Sequence, residues 1–189
     1  LKPLWHNRPM RRAASQLTRI HVPDTLAPGV LVDIPPPAAH HLAHVLRAAV
    51  GDQMVVFGAG AEFGATITRI DKHGVTVRLA VGGAVDRESP LACTLAQAIS
   101  SGERMDHTLQ KAVELGAAAV QPLYSERSIV RLTVERAEKR VAHWRQVIVS
   151  ACEQCGRNVV PALAAPQRIA EWLSALPPPR AGELRVLLS

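Results

Sequence analysis

Four short stretches of the 189-residue chain carry side chains able to do chemistry. In HHLAHVLR, His40–Arg47, a helical period puts His40, His44 and Arg47 on one face, a set suited to phosphate oxygens, and Arg19 of TRIHV can add to the same basic surface. The three histidines also raise the question of a metal. No HExxH spacing and no neighbouring carboxylate completes a ligand set, and a solvated polar face accounts for the pattern equally well. In QKAVELG, Gln110, Lys111 and Glu114 project from the side opposite Leu109 and Val113. The plain alternative there is an exposed ion pair worth about 0.2–0.5 kcal/mol. YSERSIVRL, Tyr124–Leu132, sets Ser125 and Ser128 around Glu126 and Arg127 in a loop after a strand, where α/β sheets collect functional groups. A serine at that place can equally cap a turn. ACEQCGR, Ala151–Arg157, holds a C-x-x-C pair, but in the last turn of a helix, the end that disfavours a thiolate. Zinc would need further ligands, and of the cysteines only Cys93 remains. Glu153, Gln154 and Arg157 are the better candidates there, for substrate contact.

The elements that must position these groups change character midway. From Leu17 to Val85 the sequence reads as short strands: TRIHV, VLVDI, QMVVF, ATITRI and VTVRLAV, the last two joined by Asp71-Lys72-His73-Gly74. One helix interrupts them between Pro37 and Val50, with Leu42, Val45, Leu46 and Ala49 as its apolar side and Gly51-Asp52 as its stop. A small β-barrel partly closed by that helix is the expected result. Within Gly82–Pro90 the pattern turns to alternating strands and helices: LACTLAQAI, MDHTLQKAVELG, VQPLY, a long helix capped by Thr133 and ending at Gly156, NVVPALA, QRIAEWLSAL and LRVLL. That alternation predicts a mostly parallel α/β sheet, which binds ligands beyond the carboxyl ends of its strands.

Composition narrows the class. Hydrophobic residues make up 48% of the chain, enough for packed cores, while aromatics at 3% argue against a nucleic-acid mode built on many stacked bases. Residues 1–21 carry five basic and no acidic side chains, 22–88 five against seven, and 89–189 twelve against nine. Basic character thus gathers in the N-terminal arm and the C-terminal half, which suits phosphate contact and equally suits solubility. An odd number of cysteines with no secretory segment makes a cytoplasmic location the expectation, and no apolar run reaches the roughly 20 residues of a membrane span.

Taken in order, Arg19 in TRIHVP, HHLAHVLR, the Gly51-Asp52 turn, TLAQAI, GERMDHTLQKAVELG, PLYSERSIV, the Trp144 helix and EQCGRNVVP resemble the 16S ribosomal RNA (uracil-N(3)) methyltransferases of the RsmE type. The resemblance implies a flexible basic arm over 1–16, a PUA-like RNA-binding β-barrel over 17–85 and an α/β SPOUT-type methyltransferase domain over 86–189. It further implies S-adenosylmethionine as methyl donor, no metal, a homodimer, and 16S ribosomal RNA or the small ribosomal subunit as partner. On this resemblance Glu114, Gln110 and Arg127 are the catalytic candidates. Arg19, His41, Arg47, Lys111, Ser128, Gln154 and Arg157 are the RNA contacts, and Leu188 and Ser189 the edge of the donor pocket. Members of the family continue past the strand that LRVLLS resembles into a GPEGG-like loop and a second glycine-containing segment. The expectation is therefore a chain truncated before its trefoil knot, with a non-catalytic RNA-binding remnant as the alternative.

Overall fold

The computed structural model describes residues 17–24, 26–125 and 134–187. By contact density it divides into two compact units, the first made of residues 1–88 with 149–160 and the second of residues 89–148 with 161–189.

In the first unit, β1 (Arg19–His21), β2 (Leu31–Asp33), β3 (Gln53–Gly58), β4 (Ala61–Asp71) and β5 (Gly74–Ala84) form one sheet in the order β1-β3-β4-β5-β2. β1 runs parallel to β3, with Arg19 opposite Val55, and the other pairs are antiparallel. Period-two alternation sends Ile20, Val32, Met54, Val56, Phe63, Ala65, Ile67, Val75, Val77 and Leu79 to one buried side. The β3–β4 hairpin turns on Ala59 and Gly60, both at positive φ (51° and 79°), the sign that matches strand twist in a two-residue loop. Gly58 must lack a side chain, because a Cβ there would stand 2.3 Å from the Val22 carbonyl oxygen.

The helix of this unit departs from its expected course. Helix α1 (Pro36–His40) passes directly into a π-helical turn, His41–Val45, in which the Leu46 N–H donates to the His41 carbonyl at 3.0 Å. Ala39 and Leu42 join the sheet's core, so the helix does cover the barrel interior. The wider turn rotates later positions away from that face, leaving Val45 and Leu46 62% and 42% exposed. Arg47 has left the helix altogether, at φ 52°, and so does not share a helical face with His40 and His44. Those two rings still meet, tilted by 41° with centroids 4.5 Å apart.

In the second unit, β6 (Thr94–Ala98), β7 (Ala119–Tyr124) and β8 (Ala162–Leu163) are parallel in that order, and β9 (Gln167–Arg168) also pairs in parallel with β7. Helix α2 (Glu103–Glu114) links β6 to β7 and buries Met105, Leu109, Ala112 and Val113. Gly116, at φ 90°, ends it in the left-handed conformation that lets the chain reverse into β7. Helix α3 (Val134–Cys155) belongs to this unit as far as Ile148, burying Trp144 and Ile148, and its remaining residues belong to the first unit; α4 (Ile169–Ala175) follows β9. Thr133, expected to cap α3, lies outside the described residues.

Two expected strands are not realised as read. NVVPALA contributes only Ala162–Leu163 to the sheet, because Pro161 has no N–H for a ladder and Asn158 is spent on other bonds in the first unit. LRVLL forms no strand over its described residues. Leu184, Val186 and Leu187 are 83%, 70% and 89% exposed, and Arg185 bonds locally to Glu183 and to the Pro177 carbonyl. An extended segment with no paired neighbour has neither ladder bonds nor buried apolar area to hold it as a strand.

Candidate functional site

In the first unit the polar groups converge on Arg19. Its β1 position puts the guanidinium over the Phe57 ring, 4.7 Å from the centroid, while Nη1 donates to Glu62 Oε2 at 2.8 Å and Nη2 to Asn158 Oδ1 at 2.7 Å. Arg87 donates to the other Glu62 oxygen at 2.7 Å. Burial pushes the Glu62 carboxyl upward, but the Arg19 and Arg87 guanidiniums outweigh it and hold the group below the usual range. Asn158 is fully buried. Besides receiving Arg19, its Nδ2 donates to the Val85 carbonyl at 3.0 Å, and its own carbonyl accepts the Gly60 N–H at 3.1 Å. Arg157 forks onto Glu88, with Nε 2.8 Å from Oε2, and Glu88 Oε1 accepts the Val159 N–H at 3.3 Å. The segment after α3 is thereby stitched to β1, β4 and the end of β5.

Beside this network, Glu153 Oε1 accepts the His21 backbone N–H at 3.1 Å. Burial raises the Glu153 carboxyl, opposed by that N–H and by His41 and Arg19. Burial also lowers His21, whose ring lies 5.5 Å from that of Phe57. Cys152 is buried and its thiol is pushed up to about 12, first by burial and then by Cys155, so Cys152 offers no ready thiolate. Among the described residues no group of three or more His, Cys, Asp or Glu is placed to hold a metal ion.

The structure separates the residues named from sequence. Arg19 and Arg157 are engaged in ion pairs, their side chains 14% and 8% exposed, whereas His41, Arg47 and Gln154 face solvent. Lys111 and Glu114 pair with each other at 2.6 Å on the outer side of α2, with Gln110 half-buried beside them. Because α2 leaves the carboxyl end of β6 and returns to the amino end of β7, Glu114 stands at the amino end of the sheet, whereas Ser125 follows the carboxyl end of β7. Arg127, Ser128, Leu188 and Ser189 lie outside the described residues. Sequence reasoning passed over Glu62, Glu88 and Asn158. Their only signal was polarity in stretches otherwise read as strand or linker.

A family model for an RNA methyltransferase PUA domain matches residues 34–80, and one for an RNA methyltransferase domain matches residues 87–188, more than half of the chain. The chain belongs to the RNA methyltransferase family of the RsmE type. Its fold is accordingly a PUA-like domain followed by a SPOUT-type methyltransferase domain. The chain is similar to ribosomal RNA small subunit methyltransferase E of Buchnera aphidicola from Schizaphis graminum, 30% identical over 158 residues that cover 83% of this chain and 64% of the relative. The Bacillus subtilis protein of the same name is 31% identical over 65% of this chain and 48% of its own length. Among solved structures, the RsmE-type enzyme of Neisseria gonorrhoeae bound to S-adenosylmethionine is 44% identical with a TM-score of 0.80, over 86% of this chain and 67% of that one. The chain thus spans less than two thirds of the length of these curated relatives. No described helix is long and apolar enough to cross a membrane.

Proposed function

We propose that the chain acts in S-adenosylmethionine-dependent methylation of N3 of a uracil in 16S ribosomal RNA, in the cytoplasm and as a homodimer. The observation that carries this reading is the joint match of both domain models along one chain, together with 44% identity to a small-subunit methyltransferase solved with S-adenosylmethionine. One feature of the second unit fits a polar ligand at the expected edge. Ser100 Oγ is shielded from solvent without a hydrogen-bond partner, in the loop leaving the carboxyl end of β6, where open α/β sheets receive ligands. When bound, S-adenosylmethionine supplies an electrophilic sulfonium methyl.

What the chain's own residues contribute follows from the nucleobase. N3 lies on the Watson–Crick edge, so the uracil must be unpaired or turned out of its stack before it reacts. His41 and Arg47 are exposed on the first unit and Lys111 on the second, where they can meet phosphate; Gln154 is exposed for polar contact. Arg19 and Arg157 act at one remove, by holding the segment that carries Gln154. For Glu114 to take the N3 proton, the uracil must reach the amino end of the sheet; Gln110 lies one turn earlier on α2, and Arg127 and Ser128 follow β7.

The test is incubation of the purified chain with small ribosomal subunits from a strain lacking the modification and methyl-labelled S-adenosylmethionine, with the product mapped by nucleoside mass spectrometry. Labelled 3-methyluridine in 16S ribosomal RNA is the expected product. RNA binding with no methyl transfer supports the non-catalytic reading instead.

A further inference from the structure

The outward surface of α3 is rich in charge. Arg136, Lys139, Arg140 and His143 recur at i, i+3, i+4 and i+7 and form one stripe; Glu135, one turn before Lys139, borders it, and Glu138 lies farther round the same outward surface. Trp144 and Ile148 mark the buried side. Lys139 reaches Glu135 at 2.7 Å, but both side chains are about three quarters exposed (75% and 76%), so this pair is weak and solvent-screened. His143 Nε2 sits 2.8 Å from Asp106 Oδ2, which ties the stripe to α2. Arg136 and Arg140 form no ion pair among the described residues.

The composition of this face selects its partner. Protein interfaces concentrate aromatic and apolar groups at their core, where arginine is also enriched, and are depleted of lysine and of acidic residues. Among the described residues none of the exposed large hydrophobic side chains lies on α3, and the stripe presents two guanidiniums and an ammonium over about 6 Å of helix axis. Cations without an apolar centre suit phosphodiester oxygens, which they neutralise with release of counterions and without reading bases.

We propose that the Arg136–Lys139–Arg140 stripe is an RNA-backbone contact surface on the second unit, separate from the exposed basic groups of the first. It rests on the reading of the chain as an RNA methyltransferase.

The test compares the chain with its Arg136→Gln/Lys139→Gln/Arg140→Gln variant in binding fluorescently labelled 16S ribosomal RNA across a salt series. Loss of three phosphate contacts makes the slope of log affinity against log salt less negative by about 2–3 and weakens binding at every salt concentration. A Glu135→Gln/Glu138→Gln variant should bind as well as the parent or better. Matching circular-dichroism melts show that these changes leave the fold intact. An unchanged slope in the triple variant, with the parent binding RNA, overturns this proposal and spares the methyltransferase reading. Failure of the parent itself to bind 16S ribosomal RNA overturns both.

Discussion

Arg19 and Asn158, 139 positions apart, are joined by a 2.7 Å hydrogen bond that closes the first unit on itself. The bond ties the segment after α3 to a sheet made from the start of the chain. Arg19 gains a neutral acceptor beside its Glu62 carboxylate, so its charge is shared between two partners. Asn158→Ala removes that acceptor and also strands the Val85 carbonyl, which received Asn158 Nδ2. Such buried, unpaired groups cost about 1–3 kcal/mol. Urea unfolding should show that loss. Equal stability of the alanine variant and the parent would remove Asn158 from this role.

Glu62 and Glu153 make opposite contributions to stability as pH falls. Despite an opposing burial effect, Arg19 and Arg87 hold the Glu62 carboxyl below its ordinary 4.5, so its stabilisation is present above that pH and is lost as pH falls through the lower folded value. Burial raises Glu153 instead, so its ionised form costs stability above its folded value, and protonation relieves that cost. Thermal melts between pH 3 and pH 7 should therefore show Glu62→Gln destabilised at neutral pH and converging on the parent in acid. Glu153→Gln, which keeps an acceptor for the His21 N–H, should melt at or above the parent at pH 7 and lose that advantage in acid. The same sign for both variants would break the assignment.

How far the sequence carried these conclusions depended on the range of each interaction. The strands of the first unit and the helix α2 were legible because alternation and helical spacing are local signals, and the Asp71–Gly74 hairpin carried its own turn residues. The π-helical turn was not, since an i→i+5 bond at His41 leaves no mark in composition. Nor was the Arg19 network: Arg19, Glu62, Glu88 and Asn158 meet only after the chain has folded, and a basic residue near either end reads as an RNA contact until its acid partner is seen. LRVLL failed as a strand for a related reason, because hydrophobicity signals a wish to be buried and does not supply the neighbour.

The two cysteines of the C-x-x-C pair should differ sharply in reactivity. Cys152 is buried with its thiol pushed up to about 12, and its Sγ lies 3.9 Å from the Val159 carbonyl, whereas Cys155 and Cys93 are exposed. Thiolate is the reacting form, so iodoacetamide at pH 8 should alkylate Cys155 and Cys93 and leave Cys152 unmodified until the chain is denatured. Peptide mass spectrometry reads this directly. Comparable labelling of Cys152 in the native chain would show that the end of α3 opens.

Glu114 is the carboxylate whose role the topology makes most testable. Between Glu103 at the carboxyl end of β6 and Glu114 before β7, α2 advances about 16 Å, so Glu114 and its partner Lys111 stand far from the edge where Ser100 and Ser125 lie. A general base must come within hydrogen-bond reach of the proton it removes, and its loss costs about 10²–10⁴-fold in rate. If the reacting uracil sits at the carboxyl edge, Glu114→Gln retains methylation within a few-fold and changes mainly the affinity for RNA, through release of Lys111 from its ion pair. Single-turnover methylation of small ribosomal subunits separates the two effects. A loss of about 10²-fold or more at saturating RNA would place the base on α2 after all, and would require the uracil to approach the amino end of the sheet.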